Sequence, residues 1–503
     1  MQTRIPMRLT VAALVILTSI SLTSCSNSPG SKPAPTTASA ETGKIPITTQ
    51  SEEARKEFLQ ARDLAERLLA QEAIPHYEKA IAADPNFATA ELGRANASPT
   101  AREFFDHLNK AVATAGKASE GERLLIQATE AGANGNTAKQ KEYLDKLVGS
   151  FPNDERAHFN MGGYYFGQQD YVHAIDQNKQ AAELAPNYSP AYNILGYSYR
   201  QAGDYANAER AFKKYTELIP NDPNPYDSYA ELLLKMGRYD ESIAQYRKAL
   251  SIDPHFVASH FGISGDLTYM GKPAEAITEL QKILDKARSD GDRRLAMFGM
   301  MVVDVDSGKL DQALQEIDNQ YALGEKTNDT AAMSADAQFK GNILAEMGKY
   351  DAAREQYERA LKLIEDSNLG QDLKDNTKLF HHYNLTTVAA GKKDFGTAKK
   401  EAEEFRKGAE AKNNAVLVKQ AHELAGIIAL AQKQYDPAIS ELQQASQQNP
   451  RNLYRLCQAY QAKGDTAKTR DFCGQAANFN SLPQLNLAFV RTKAKKMAGE
   501  KKG

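Results

Sequence analysis

The chemistry-bearing residues of this chain are few and widely separated. Three cysteines (Cys25, Cys457, Cys473) and nine histidines are the groups from which a nucleophile or a metal site would be assembled. His381 and His382 are adjacent rather than a helical turn apart, with no cysteine or acidic residue placed to complete a ligand set, so surface or partly buried histidines are expected there. His422-Glu423 lacks the second histidine that a zincin helix needs four places after the first. No phosphate loop, dinucleotide fingerprint or nucleophile elbow occurs. The reading is therefore no catalytic residue, no metal, no cofactor and no enzyme activity. Cys457 and Cys473 flank a turn marked by Gly464. Antiparallel helices joined at that turn would hold the two thiols at nearly the same height. A bond needs Cα atoms within about 7 Å and an oxidising compartment. The spacing admits both a disulfide and two small buried thiols.

The elements that position these groups keep one beat of 34 residues. Gly162 is followed by Gly196, and Gly203 by Gly237 and Gly271. Tyr165 is followed by Tyr199, and Tyr171 by Tyr205 and Tyr239. Ala174, Ala208, Ser242 and Ala276 keep the interval, as do Pro152, Pro186, Pro220 and Pro254. A glycine, an aromatic, a small residue and a proline in fixed order describe two short helices and a stop. The small residues let helices approach, and Tyr171, Tyr205 and Tyr239 are expected to fill the gap between one pair and the next. A single pair cannot bury its apolar face alone, so stacked pairs share one continuous core.

This pattern resembles the tetratricopeptide repeat. The resemblance covers roughly residues 54 to 478, most closely from Gly121 to about Lys272, and it implies an all-α, right-handed superhelical solenoid. A first unit runs from about Ala54 to Phe87. Residues 88 to 120 match poorly, although Thr100 and Glu103 have capping-box spacing. Close matches begin at Glu155, Ser189 and Pro223, and a weaker one at Val257. After Asp290 the spacing loosens: Gly308 lies 37 residues after Gly271, and Gly348 lies 40 after Gly308. The expected organisation is a regular array over 51–290 and longer, degenerate pairs over 291–480. A bend is expected near Lys286 to Arg294, where Ser289-Asp290-Gly291-Asp292 is turn-like. A capping helix and basic tail are expected over 481–503, with an apolar run at Leu482, Leu485, Leu487, Phe489 and Val490.

The N-terminus reads as a sorting signal. Arg4 and Arg8 precede an apolar run from Leu9 to Ile20, too short to span a bilayer and proportioned like a secretory core. Leu22-Thr23-Ser24-Cys25 then resembles the lipobox of bacterial lipoproteins. That resemblance implies cleavage after residue 24, several acyl chains on Cys25 and stable anchoring. Ser26 is not acidic, which in Gram-negative lipoproteins implies the outer membrane. Residues 25–50 are rich in Ser, Thr, Pro, Ala and Gly and read as a disordered tether with an r.m.s. reach of roughly 25–30 Å.

In such repeats the first helix of each pair lines a concave groove, and its inward places here hold Phe159, Phe166, Asn193, Tyr197, Arg200, Gln201, Asp227, Glu231 and Lys235. Aromatic, amide and mixed-charge groups suit an extended peptide or a partner helix. Asn193 and Tyr197 depart from the lysine and asparagine of the carboxylate-clamp subfamily. A net charge of −2 argues against nucleic acid, which favours a basic stripe. The expectation is a lipid-anchored scaffold that binds another envelope protein or peptide, on the outer membrane facing the periplasm. The alternative is a glycan-binding outer-membrane lipoprotein of a polysaccharide-uptake system. Such proteins commonly stack sugar on Trp, and this chain has none.

Overall fold

Short polar residues start the helices that the spacing predicts. Asp154, Asp170, Asp394 and Asp465 each accept a hydrogen bond from a backbone N–H of the first turn. Ser119 and Glu122 complete a reciprocal capping box; each cap contributes about 1 kcal/mol. The computed structural model describes residues 43–412 and 414–499. The expected signal peptide, Cys25 and the tether as far as residue 42 lie outside the described residues. Among those described, the regular structure is helical throughout. The chain divides into two compact units between Leu218 and Ile219, with Asn368–Asn376 grouped with the first.

The first unit holds consecutive pairs: α1 (Glu52–Glu66) with α2 (Ala70–Ala83), α3 (Ala88–Asn96) with α4 (Ala101–Thr114), and α5 (Glu120–Ala133) with α6 (Thr137–Ser150). Then come α7 (Glu155–Gly167) with α8 (Tyr171–Leu184), and α9 (Ser189–Gln201) with α10 (Tyr205–Leu218). The poorly matching stretch after residue 88 is itself a helix pair, and Thr100 caps α4 by accepting from the Glu103 N–H. Glycines of first helices meet rings of second helices, from the preceding pair at Gly93, where an added Cβ would stand 2.2 Å from the Tyr77 ring, and from their own pair at Gly196. A Cβ on Gly196 would stand 2.5 Å from the Phe212 ring, and Phe212 is fully buried. The same place in the preceding pair is Asn178, buried at Gly162 with its Oδ1 unpartnered. The ring that fills the interior thus comes from the middle of the second helix. Of the tyrosines expected between one pair and the next, Tyr171 starts α8 and packs edge-on against Phe166, and Tyr239 reaches Tyr269 of the following pair with ring centroids 6.2 Å apart.

Residues 43–50, assigned to the tether on composition, are fastened along the first unit. The Ile45 N–H donates to Asp154 and the Thr48 N–H to Glu122, while the Ser119 N–H donates to the Thr48 hydroxyl. The Thr49 hydroxyl donates to Asp84 at 2.6 Å, and Lys44 pairs with Glu155. Ile45 and Ile47 insert into the cores beneath. The small-residue composition concealed two isoleucines and the acceptors waiting at the ends of the helices.

The second unit begins with α11 (Pro223–Lys235) and α12 (Tyr239–Ile252), α13 (Val257–Tyr269) and α14 (Pro273–Lys286), and α15 (Asp290–Asp306) and α16 (Leu310–Thr327). It continues with α17 (Thr330–Glu346) and α18 (Tyr350–Glu365), then α19 (Gln371–Lys392), whose residues to Asn376 group with the first unit, and α20 (Phe395–Ala411). The pairs α21 (Ala415–Ala431) with α22 (Tyr435–Gln444), and α23 (Pro450–Ala462) with α24 (Thr466–Ala477), complete it. Ser289, expected in a turn at a bend, is the N-cap of α15, and residues 290–292 form that helix's first turn. The C-terminal stretch is not one capping helix. It is an irregular run carrying a four-residue helix, α25 (Leu485–Ala488), followed by α26 (Arg491–Ala498) packed on α24.

Candidate functional site

The inward places of the first unit are more buried than an open groove would leave them. Phe166, Asn193, Tyr197 and Arg200 are all buried, and Phe159 is partly so. Tyr197 stands edge-on to Phe212 with ring centroids 5.2 Å apart, and the Arg200 guanidinium lies 4.7 Å over the Tyr197 ring. Phe159 packs edge-on to Tyr188. These aromatics are parts of the repeat core, and Tyr197 is exposed by only 3%.

In the second unit α11, α13 and α15 lie side by side as the first helices of their pairs. Asp227 is buried and accepts from the Ser259 hydroxyl of α13 at 2.7 Å, and Glu231 is also buried. Lys235 donates its ammonium to the carbonyl of Phe479 at 2.5 Å and lies over the Phe479 ring. The Tyr239 hydroxyl donates to the Asn480 side chain at 2.9 Å, and the Tyr269 hydroxyl donates to the carbonyl of Ser481. Pro483 rests on Gly265, where an added Cβ would stand 3.0 Å from the proline ring. Leu485, Ala488, Phe489 and Val490 enter a core with Met301, Val302 and Val305 of α15. Arg491 closes the run by pairing with Asp306 through both carboxylate oxygens and donating to the carbonyl of Thr268. The inner face of the second unit therefore already holds an irregular, turned segment, and that segment is the chain's own. Between this segment and the neighbouring repeat helices, every residue of α13 is buried. Gly265 permits this approach, whereas Gly262 makes room for Tyr246 of the preceding pair, and Gly265, a glycine in the middle of α13, was the available signal in the sequence.

The titratable groups form structural pairs. His422 meets Glu441 at 2.7 Å and His382 meets Glu401 at 2.6 Å, each across the hairpin of its own pair. His260 meets Glu279 in the same way, and His158 meets Gln177. All four pairs are 19 residues apart, a repeat-phased spacing that sequence reading missed because it crosses a turn. Burial pushes the Glu279 carboxyl up, but hydrogen bonds from His260, Arg247 and Lys282 outweigh it and hold the group below the usual carboxylate range. His381 is held low by burial, then by the neighbouring His382. Cys457 and Cys473 are joined as a disulfide with Cα atoms 5.2 Å apart. Among the described residues no His, Cys, Asp or Glu group is disposed to hold a metal, and no helix is long and apolar enough to cross a membrane.

Comparison with known families places this architecture. Residues 194–379 match the tetratricopeptide repeat-like domain and residues 125–189 the tetratricopeptide repeat. Membership of the repeat family is thus supported over these segments, and repeats of this kind generally act as non-catalytic protein-interaction scaffolds. Similar solved structures include the crystal structure of MamA protein, at 22% identity over 33% of this chain and 91% of that one, with a TM-score of 0.28. Another is a thermophilic TPR protein of Thermus thermophilus, at 21% identity over 42% of this chain and 98% of that one, with a TM-score of 0.29. No curated protein matches.

Proposed function

We propose that this protein is a lipid-anchored repeat scaffold of a bacterial cell envelope that captures another envelope protein by a turned, mostly non-helical segment. The observation that carries the reading is the grip of Lys235 and Tyr269 on two main-chain carbonyls, those of Phe479 and Ser481. Phe479 and Ser481 flank Asn480, whose φ of +40° turns the main chain, so these side chains of α11 and α13 hold a turned backbone through two of its carbonyls. The lipobox-like Leu22-Thr23-Ser24-Cys25 supports the anchor, and the Cys457–Cys473 disulfide supports an oxidising compartment. Chemical cross-linking in intact cells, followed by purification through a C-terminal tag and mass spectrometry, tests the reading. The expected result is one dominant envelope protein, with a Cys25→Ser variant released from the membrane fraction. Membrane retention of that variant would remove the anchor. No enriched protein would overturn the scaffold and turn attention to a glycan ligand.

A further inference from the structure

We propose that the inner face of α11, α13 and α15 is a receptor for a turned, proline-containing apolar segment followed by an arginine, and that residues 479–491 are its resident competitor. The inference rests on the scaffold reading and specifies its ligand and its regulation.

The pattern follows from what each contact reads. Lys235 and Tyr269 hold main-chain carbonyls, and Lys235 also covers the Phe479 ring, which favours an aromatic residue at that place. Gly265 leaves room for a flat ring such as Pro483. Met301, Val302 and Val305 offer an apolar floor taken by Leu485, Phe489 and Val490. Asp306, buried beside that floor, takes a guanidinium in two-pronged fashion, which selects arginine over lysine.

The occupant is built differently from the pairs around it. Residues 478–490 leave α24, cross the inner face and return to α24 through α26, with only the four residues of α25 helical between. Undocking this loop separates no helix from its partner. Because the loop is held at both ends, its effective concentration at the groove is on the order of millimolar. A free segment making the same contacts at about 10 μM would therefore occupy roughly one groove in a hundred. The face is closed at rest and opens to a partner when the loop's own hold is weakened.

The test uses the full chain and a fluorescein-labelled synthetic peptide of residues 478–492, followed by anisotropy. Phe489→Ala weakens the loop and leaves the groove intact, so peptide affinity rises at least tenfold over the unmodified protein. Adding Asp306→Asn to that variant lowers the affinity again, about tenfold, because the peptide's arginine loses its partner. Locking the loop with Gly265→Cys and Pro483→Cys abolishes binding until reductant is added. A folded Phe489→Ala protein that binds no better than the unmodified one would overturn the proposal. Hydrogen exchange on the unmodified protein decides the matter independently of any variant. Amides of 479–490 exchange at least a hundredfold faster than those of α13 if the loop opens on its own. Exchange in step with α13 means that the segment is fixed core, and the proposal falls. Neither failure touches partner capture in cells, which the cross-linking experiment reads separately.

Discussion

Asp266 is a carboxylic acid placed where a carboxylate is costly. It is fully buried in α13, its Oδ1 has no partner, and its Oδ2 lies 2.7 Å from the Ser242 hydroxyl. That hydroxyl also lies 2.9 Å from the carbonyl of Ala230 and has one proton to give. A protonated Asp266 resolves the shortage by donating to Ser242, which then donates to Ala230. Burial pushes the group up to about 8, against the Ser242 hydrogen bond and with help from Asp240. A raised carboxyl binds its proton more tightly folded than unfolded. Its stabilising contribution is therefore complete below the ordinary value of 3.8 and is lost as pH rises to about 8. Asp266→Asn keeps the donor and removes the titration. The stability of the variant minus that of the parent is expected to grow by on the order of a few kcal/mol between pH 4 and pH 8 and to stay flat above. Urea melts across that range check it, and a constant difference would show that Asp266 is already ionised. Burial likewise reassigns Tyr197, since truncating a ring packed on Phe212 costs about 3 kcal/mol or more and tests the core before any surface.

Helix hairpins repeat one turn, and the turn needs a left-handed residue. Gly203, Gly237, Gly271, Gly308, Gly348 and Gly464 supply it at φ between +75° and +82°. Gln169, Lys393 and Lys433 adopt the same conformation at +61° to +62° while carrying side chains. The left-handed region costs a side-chain-bearing residue about 1 kcal/mol, so Lys433→Gly is expected to stabilise the α21–α22 hairpin by roughly that amount. Thermal melts measure this, and a destabilised variant would show that the Lys433 side chain contributes more than the turn costs. The pairs themselves were legible because glycine, aromatic and proline recur in one phase, and each has a local physical task. Inner-face burial was not legible. The place of a residue on a helix gives the direction of its side chain and says nothing of what lies opposite. The run Leu482 to Val490 has the same apolar pattern whether it caps a stack or fills a groove. What discriminates is the acceptor set it meets, Asp306 above all, and that residue is 185 positions from Arg491.

At the scale of the whole chain, two compact units imply two melting events. The disulfide belongs to the second unit and closes 16 residues between α23 and α24, a constraint worth about 3 kcal/mol on the chain-entropy account. In a repeat array such a gain is felt by neighbouring pairs first. Calorimetry is expected to resolve two transitions, with Cys473→Ser or a reductant lowering one and sparing the other. A single transition that shifts as a whole would show the units to be one cooperative body. The division between Leu218 and Ile219 left no mark in the sequence, because the 34-residue beat runs through it unchanged from Gly203 to Gly237.

The fastening of residues 43–50 also decides how the first unit bears load. Tension applied from the N-terminal side arrives at Lys44 and Ile45, beside the start of α7, and not at α1, the outermost helix. It must then travel along a segment whose bonds to Asp154, Glu122 and Asp84 are spread over two helix starts and one helix end. Pulled lengthwise, those bonds resist together instead of opening one after another. The end helix is thereby shielded from peeling, and the segment acts as a strain relief for the unit it crosses.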